Sequence, residues 1–212
     1  MRTVIIVDYG VGNLRSVARA VTRCGATPIL ATTPEQVAQA SIMILPGVGA
    51  FGSCVAALKA HGLAEPVLQV IASGRPVLGI CVGMQMLMNE SEEFGQHAGL
   101  GLISGTVKAI PNTGSDGTPH KIPHIGWNGL HPASGDWAGS IFEDVQPGEA
   151  CYFVHSFAAQ ADHAENDLAH CEYNGRRVCA AVRKDNLTGV QFHPEKSGPV
   201  GLKILSRFIA KA

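Results

Sequence analysis

The residue best placed for covalent chemistry is Cys81, which stands between glycines in Gly79-Ile80-Cys81-Val82-Gly83. An apolar run precedes it and a predicted helix, Met84 to Asn89, follows, so the segment has the glycine-x-nucleophile-x-glycine pattern of a tight strand-to-helix turn. Glycines there allow close backbone approach, and a helix N-terminus stabilises a thiolate. The N–H of Val82 is then a natural oxyanion donor. A buried core cysteine is the alternative, and the strand-turn-helix context favours the nucleophile.

A cysteine nucleophile needs a base, and His193 is the strongest candidate among nine histidines. It lies in Gln191-Phe192-His193-Pro194-Glu195, at the end of an apolar run. Residues two apart on an extended chain point the same way, so the Glu195 carboxylate can accept from one ring nitrogen while the other faces the thiol. A surface His-Pro-Glu turn is the alternative. Together with the cysteine turn, the pattern predicts a Cys81–His193–Glu195 triad.

The first half of the chain alternates apolar strands with helices, which predicts a parallel sheet covered on both faces. The predicted strands are Val4 to Val7, Ile29 to Ala31, Ile42 to Leu45 and Val77 to Ile80. The predicted helices are Leu14 to Cys24, a short one from Pro34, Ser53 to His61 and Glu65 to Ser73.

From about Gly101 onward, short apolar runs follow one another with few helices between them, which predicts antiparallel strands. They are Gly105 to Ile110, Cys151 to Phe157, Leu168 to Tyr173, Val178 to Val182 and Thr188 to Phe192, with polar loops at Asn112 to Thr118 and Ala161 to Asp167 and a last helix at Val200 to Ala210. The expected fold is α/β: an open, mostly parallel central sheet with helices on both faces, plus antiparallel strands in the second half.

Composition narrows the function classes. The 212 residues are 46% hydrophobic and 16% charged with a net charge of -1, so no nucleic-acid footprint is expected. No apolar stretch has the length of a membrane span, and the N-terminal apolar run ends at Asp8 without a signal-peptide cleavage site. We expect a cytoplasmic protein that does not bind membranes, whose six scattered cysteines are mostly reduced and buried.

Two further patterns could suggest a metal or a cofactor. His120 and His124 have the spacing of helical metal ligands, but Pro123 argues against a helix and no acidic or cysteine partner stands nearby. Tyr9 to Asn13 lacks the third glycine of a dinucleotide-binding loop, since position 15 is Arg15. The sequence therefore predicts neither a metal nor a cofactor.

The cysteine turn followed by Met84-Gln85, together with the distal His-Pro-Glu, resembles the class I glutamine amidotransferases. The segments that carry this resemblance run from end to end, which implies one amidotransferase domain over residues 1–212. They are Asp8 to Asn13, Pro46 to Phe51, Gly79 to Gln85, Ser91 to Glu93, Pro123 to Asn128, Tyr152 to Ser156 and Gln191 to Ser197. The resemblance implies hydrolysis of glutamine to glutamate and ammonia through a glutamyl thioester on Cys81.

Within that family, the Pro-His-x-Gly-Trp-Asn and Pro-Gly-Val-Gly segments are similar to the glutaminase subunits of imidazole glycerol phosphate synthases, which act in histidine biosynthesis. The resemblance implies an oxyanion pocket made by Val48, Gly49 and Val82, with the loop peptide reorienting to form it. It implies that Gln85, Glu93, His155 and Ser156 hold glutamine. It also implies a (β/α)8-barrel cyclase subunit as partner, contacted by Asn13, Trp127, Tyr152 and Lys196.

Three alternatives remain at this point. A glutaminase subunit feeding anthranilate or vitamin B6 synthesis would have the same triad, although Pro-His-x-Gly-Trp-Asn argues against it. An esterase or a cysteine peptidase could use a similar turn, but the order Cys, His, Glu does not suit the usual hydrolase order of nucleophile, acid and His. A non-catalytic regulatory subunit on the same fold is the third, and the complete triad argues against it.

Overall fold

The structure is a computed structural model, and it describes residues 2–211. The strands are β1 Thr3–Val7, β2 Thr27–Ala31, β3 Met43–Gly47, β4 Val77–Cys81, β5 Met88–Ser91, β6 His97–Ala98, β7 Ile103–Ala109, β8 His124–Gly129, β9 His131–Pro132, β10 Ala150–His155, β11 Phe157–Ala161, β12 Asp167–Tyr173, β13 Arg176–Lys184 and β14 Leu187–Val190. The α-helices are α1 Leu14–Arg23, α2 Pro34–Ala38, α3 Phe51–Ala60, α4 Ala64–Ala72, α5 Val82–Gln85 and α6 Gly198–Lys211, and 3-10 turns span Ala164–Asn166 and Pro194–Lys196.

The central sheet has eight strands in the order β2-β1-β3-β4-β14-β13-β12-β9. The first five are parallel, and β13, β12 and β9 continue the sheet in antiparallel pairing. Every residue of β3 and β4 is buried, as expected for strands covered on both faces. The predicted α/β fold, with a mostly parallel sheet and antiparallel strands in the second half, is confirmed.

Local sequence explains where the covering helices begin and end. Helix α1 buries Val17, Ala20 and Val21 on one face, and the chain leaves it through Gly25 at φ 78°, a left-handed conformation that glycine adopts freely. Helix α2 begins at a capping box in which Thr33 and Gln36 each bond the other's backbone N–H.

The chain also forms two smaller sheets. One has the order β11-β7-β5-β6, and the other is an antiparallel ribbon of β8 and β10. In the ribbon, Ile125 and Trp127 are each 56% exposed, whereas His124 is fully buried. Because strand residues alternate between faces, Asn128 shares the inner face with His124.

The predicted helix from Met84 to Asn89 is wrong. Helix α5 ends at Gln85, and Met88 begins strand β5. The cause is non-local: strand β5 pairs with β6 and β7, and the N–H groups of Leu100 and Leu102 bind the carbonyls of Met86 and Leu87. The stretch predicted as one strand from Cys151 to Phe157 is also divided at Ser156 between β10 and β11, which lie in different sheets.

Within residues 2–211, no single helix has the length and hydropathy of a membrane span, although α3 and α4, bent by 93° at their junction, pass that test as a pair.

Candidate active site

The nucleophile turn lies at the carboxyl end of β4, between β3 and β14. Cys81 has φ 55° and ψ -115°, a conformation that residues with a side chain rarely adopt. The residue after it, Val82, is the first residue of α5. The backbone is thus strained at the one residue that the sequence singles out as the nucleophile, as in other strand-to-helix turns that expose a reactive atom.

The glycines around Cys81 are required by close backbone packing. A Cβ atom at Gly83 would overlap the carbonyl of Leu45 on β3, and one at Gly79 would lie 2.8 Å from the carbonyl oxygen of Gly83. A Cβ at Gly47 would lie 2.8 Å from the backbone nitrogen of Gly83. Real Cβ atoms do not approach backbone this closely, so these three positions let β3, β4 and α5 meet.

His193 and Glu195 form a buried pair. Nδ1 of His193 lies 2.9 Å from Oε1 of Glu195, and the side chains are 3% and 1% exposed. Burial by itself lowers the pKa of His193. The hydrogen bonds to Cys81 and Glu195 and the charges of these two groups have the larger, opposite effect, and together they raise this pKa to about 9. The prediction that these side chains point the same way along an extended strand is wrong: β14 ends at Val190, and Glu195 lies in a 3-10 turn.

The turn that carries Glu195 is held from two sides. The N–H of His193 donates to the carbonyl of Tyr152, and Ser197 Oγ donates to the carbonyl of His193 at 2.7 Å while accepting from the Tyr152 N–H. On the other side, a Cβ at Gly201 of α6 would overlap the carbonyl oxygen of Pro194. Sequence reasoning gave Gly201 no role, and a glycine inside a predicted helix is the signal that could have found it.

A cavity of about 320 Å³ opens beside Cys81 and His193. It is lined by Val48, Gly49, Cys81, Val82, Gln85, Glu93, Pro123, Val154, His155, Ser156, Phe157 and His193. All the oxyanion and glutamine-binding residues expected from sequence are therefore brought to one cavity with two members of the triad. Glu195 is not part of the lining and contacts the other side of the His193 ring.

Polar side chains in and behind this cavity are already oriented. Gln85 Nε2 donates to the carbonyl of Phe157 and to Oε1 of Gln191 at 3.0 and 2.9 Å. Gln191 Nε2 lies 3.7 Å from the Cys81 sulfur, at hydrogen-bonding distance for sulfur. Glu93 accepts a hydrogen bond from the N–H of Phe51. Gln191 was absent from the predicted site because its side chain reaches the sulfur from the residue after β14, a distant part of the sequence.

Two side-chain contacts hold the end of β3 and the loop that follows it. The buried Tyr9 hydroxyl donates to the carbonyl of Pro46 at 2.6 Å, and the Cys54 thiol donates to the carbonyl of Val48 at 3.3 Å. Gly49 follows at φ 94°, and Val48 is 37% exposed. The Val48–Gly49 peptide thus lies at the cavity wall next to a glycine that can change conformation freely.

The residues expected to meet a partner lie close to the triad. Trp127 and Tyr152 pack edge to face with ring centroids 6.0 Å apart, and Lys196 Nζ lies 5.7 Å from the Tyr152 ring. Asn13 is half-buried at the start of α1. Trp127, Tyr152 and Lys196 form one surface, called here the aromatic face.

The two histidines with metal-like spacing have other environments. His124 is buried and hydrogen-bonded to His155 and Asn128, and His120 contacts the carbonyl of Pro111. Within the described part of the chain, residues 2–211, no group of three or more His, Cys, Asp or Glu side chains is arranged to hold a metal ion.

The chain is similar to known proteins over nearly its whole length. A family model described as glutamine amidotransferase class-I matches residues 5–212. The chain is 48% identical over 211 residues to imidazole glycerol phosphate synthase subunit HisH 1 of Legionella pneumophila strain Lens, with 99% of each chain covered. It is 46% identical to subunit HisH of the same synthase from Syntrophotalea carbinolica, covering 97% of this chain and 98% of the relative. Among solved structures, PurLQS from Thermotoga maritima superimposes with a TM-score of 0.72 at 21% identity, covering 99% of this chain and 98% of that one, a likeness of fold.

Proposed function

The chain belongs to the class I glutamine amidotransferase family, and from that premise we propose that it is the glutaminase subunit of an imidazole glycerol phosphate synthase in histidine biosynthesis. The observation that carries this proposal is the cavity in which a strained Cys81 and a buried His193–Glu195 pair meet. Its reaction is the hydrolysis of glutamine to glutamate and ammonia.

The chemistry begins with transfer of the Cys81 proton to His193, which the raised pKa of His193 supports. The thiolate attacks the side-chain amide carbon of glutamine, and the carbonyl oxygen becomes an oxyanion that accepts from backbone N–H groups of Val82 and of the Val48–Gly49 loop. The tetrahedral carbon expels ammonia, which takes the proton from His193. Water, deprotonated by His193, then cleaves the glutamyl thioester and restores the thiol.

The cavity suits a small zwitterion. Its volume of about 320 Å³ is at the small end of ligand pockets. We assign the Glu93 carboxylate and the Gln85 amide to the amino-acid head of glutamine, together with the backbone of His155 and Ser156. The side-chain amide of glutamine then extends toward Cys81.

A partner follows from the product. Ammonia released into water near neutral pH is protonated and diluted, so it is useful only in a sheltered path to an acceptor. The relatives that the chain matches over 97–99% of its length are named subunits of a synthase, which supports an acceptor site on a second polypeptide. We assign this role to a (β/α)8-barrel cyclase subunit in a cytoplasmic heterodimer. It would use the ammonia to form imidazole glycerol phosphate and an aminoimidazole carboxamide ribonucleotide.

Three neighbouring residues, of which Trp127 and Lys196 are exposed and Tyr152 is half-buried, support the position of this partner. Trp127, Tyr152 and Lys196 form a continuous aromatic face, and Tyr152 and Lys196 flank the hydrogen bonds that hold His193. Asn13, at the start of α1, is assigned to the periphery of the same interface. Trp and Tyr are the side chains most enriched in the energetically dominant parts of interfaces.

The test is glutamate release from glutamine by the purified chain, alone and with the cyclase subunit and its nucleotide ligand. Release by the complex that is abolished in Cys81→Ala and kept in Cys24→Ala is the expected result, because Cys24 lies outside the cavity. Turnover that survives Cys81→Ala would remove the nucleophile from the proposal. Cys81-dependent glutamate release that is the same with and without the cyclase subunit would point to another acceptor, such as those of anthranilate or vitamin B6 synthesis.

A further inference from the structure

Three side chains that the proposed mechanism does not use form a continuous hydrogen-bonded chain behind the cavity. Asn128 Nδ2 lies 2.6 Å from His124 Nε2, and His124 Nδ1 lies 3.0 Å from His155 Nε2. His155 Nδ1 then lies 2.8 Å from the carbonyl oxygen of Phe157. These contacts run from the β8/β10 ribbon to the first residue of β11, which lines the cavity.

The direction of every hydrogen bond in this chain is fixed by its last member. A carbonyl oxygen only accepts, so Nδ1 of His155 carries the proton and its Nε2 accepts. Nδ1 of His124 must then donate, which leaves its Nε2 to accept from the Asn128 amide. Burial lowers the pKa of His155 to about 3 and that of His124 to about 4, so both rings are neutral near pH 7.

The ring of His124 has little freedom to turn away from this arrangement. It stacks between Phe153 at 5.0 Å and Tyr173 at 4.3 Å, with interplanar angles of 20° and 28°. The register of the ribbon pairs His124 directly with His155. Aromatic stacking on both faces leaves only the ring edge for polar contacts, and both edge nitrogens are used.

The hydrogen-bonded series ends at the Phe157 carbonyl, which also orients Gln85 in the cavity. The carbonyl of Phe157 accepts a second hydrogen bond, from Gln85 Nε2, and the same nitrogen donates to Gln191 Oε1. Both Nε2 hydrogens of Gln85 therefore have acceptors inside the protein. This leaves Oε1 as the atom of Gln85 available to a ligand in the cavity, where it would accept a hydrogen bond from an ammonium group.

We propose that His124 is a positioning residue for glutamine turnover: through His155 and the Phe157 carbonyl it holds the Gln85 amide with its oxygen toward the substrate. The inference rests on the proposed glutaminase function. His124 itself does not line the cavity. When His124 cannot donate, His155 Nε2 loses the hydrogen bond from His124 Nδ1. The His155 ring and the Phe157 carbonyl can then shift together, and the Gln85 amide is free to rotate.

The first test observes the protons directly and needs no activity. Histidine labelled with ¹⁵N in the full chain reports the tautomer of each neutral ring by NMR, with His124 and His155 assigned from single substitutions. We expect both rings near pH 7 to carry the proton on Nδ1, although the Nε2–H form is the usual one in free histidine. A proton on Nε2 of either ring would overturn the proposal, whatever the kinetics.

The second test is kinetic and uses the complex with the cyclase subunit. His124→Phe keeps the stacking but has no donor, so we expect KM for glutamine to rise about tenfold, the effect of losing about one buried hydrogen bond, with a smaller change in kcat. His124→Asn restores a donor near the position of Nδ1 and should recover most of the loss. His120→Phe makes the same exchange on the neighbouring segment and should leave KM unchanged.

The kinetic outcomes separate this inference from the function on which it rests. Wild-type complex that releases no glutamate would refute the glutaminase function itself. Active wild type with an unchanged KM in His124→Phe would refute the positioning role alone. A raised KM that His124→Asn does not reduce, at an equal thermal unfolding midpoint, would show that the donor is irrelevant and would also refute it.

Discussion

Nδ1 of His193 lies 2.9 Å from Oε1 of Glu195, and both side chains are almost fully removed from water. The carboxylate accepts a hydrogen bond from the Nδ1–H group, so Nε2 is the ring nitrogen left for the Cys81 sulfur. Because the pKa of His193 is raised from 6.5 to about 9, the imidazolium form stabilises the folded state fully below pH 6.5, and this contribution is lost as pH rises through about 9.

Replacing Glu195 with Gln should lower the pKa of His193, because the negative charge next to the imidazolium is removed. The high-pH limb of kcat/KM for glutamine, set by loss of the His193 proton at about 9, should move to lower pH. The rate should also fall by about 10²- to 10⁴-fold, as when the orienting acid of a triad is neutralised. The measurement is a pH–rate profile of the complex. Glu143→Gln, at an exposed ion pair with Arg207, should change neither quantity, and an unmoved limb in Glu195→Gln would contradict the assignment.

Gly201→Ala should disturb the triad from outside the cavity. The new methyl group would overlap the Pro194 carbonyl, a backbone atom between His193 and Glu195 that can move only with the turn. We expect a loss of about 1–3 kcal/mol in the free energy of unfolding and a loss of glutamine turnover. Urea unfolding and glutamate release measure the two effects.

The matched control is Gly52→Ala in helix α3. The three atoms nearest its Cβ would all belong to the side chain of His97, which can move aside, and alanine favours the helix by about 1 kcal/mol over glycine. Turnover in Gly52→Ala should match wild type. Full activity in Gly201→Ala would mean that the turn tolerates displacement and that the packing of α6 does not set the triad.

Tyr9→Phe should loosen the loop that carries Val48 and Gly49. It removes the hydroxyl bound to the Pro46 carbonyl and leaves that buried oxygen without its donor, which costs about 1–3 kcal/mol. Chemical unfolding measures the cost. Tyr173→Phe makes the same change at an exposed hydroxyl bound to the Lys121 carbonyl, and water can replace that donor. Equal losses in the free energy of unfolding in the two variants would contradict the argument that burial makes the Tyr9 hydrogen bond the more costly one to lose.

Trp127→Ala should weaken binding of the cyclase subunit. The indole is 56% exposed and packs on Tyr152 in the aromatic face, and truncation of an interface hot spot costs about 2 kcal/mol or more, roughly a 30-fold rise in Kd. Titration calorimetry with the cyclase measures this. Ile29→Ala, at an exposed apolar residue of the edge strand β2, should leave Kd unchanged. An unchanged Kd in Trp127→Ala would place the interface elsewhere.

Local pattern was sufficient for the parallel half of the fold. The strands around Ile44 and Leu78 are continuous apolar runs bounded by turn residues. Such a run predicts a strand that is buried on both faces, without knowledge of the rest of the fold. The cysteine turn was equally readable, because the glycines at 79 and 83 are needed for contacts with adjacent strands.

Contacts between distant segments could not be read in this way. Met88 lies in a strand because β5 pairs with β6 and β7, and nothing in the local sequence of residues 84–89 records that pairing. His124 and His155 are 31 positions apart, and their pairing depends on the register of the ribbon. Glu195 contacts His193 from within a 3-10 turn, whereas the sequence predicted that both residues lie on an extended strand.

The backbone angles of Cys81 have a consequence for the folding of inactive variants. A positive φ at a residue with a Cβ costs about 1–3 kcal/mol, so the wild-type protein holds its nucleophile against its own conformational preference. Cys81→Ala removes the sulfur but keeps that cost, whereas Cys81→Gly removes both and adds back about 0.5–1 kcal/mol of backbone entropy. Thermal unfolding should therefore rank Cys81→Gly above Cys81→Ala. Glycine at this position would thus give a more stable protein without a nucleophile, so the fold gives up part of its robustness to hold a thiol at this turn.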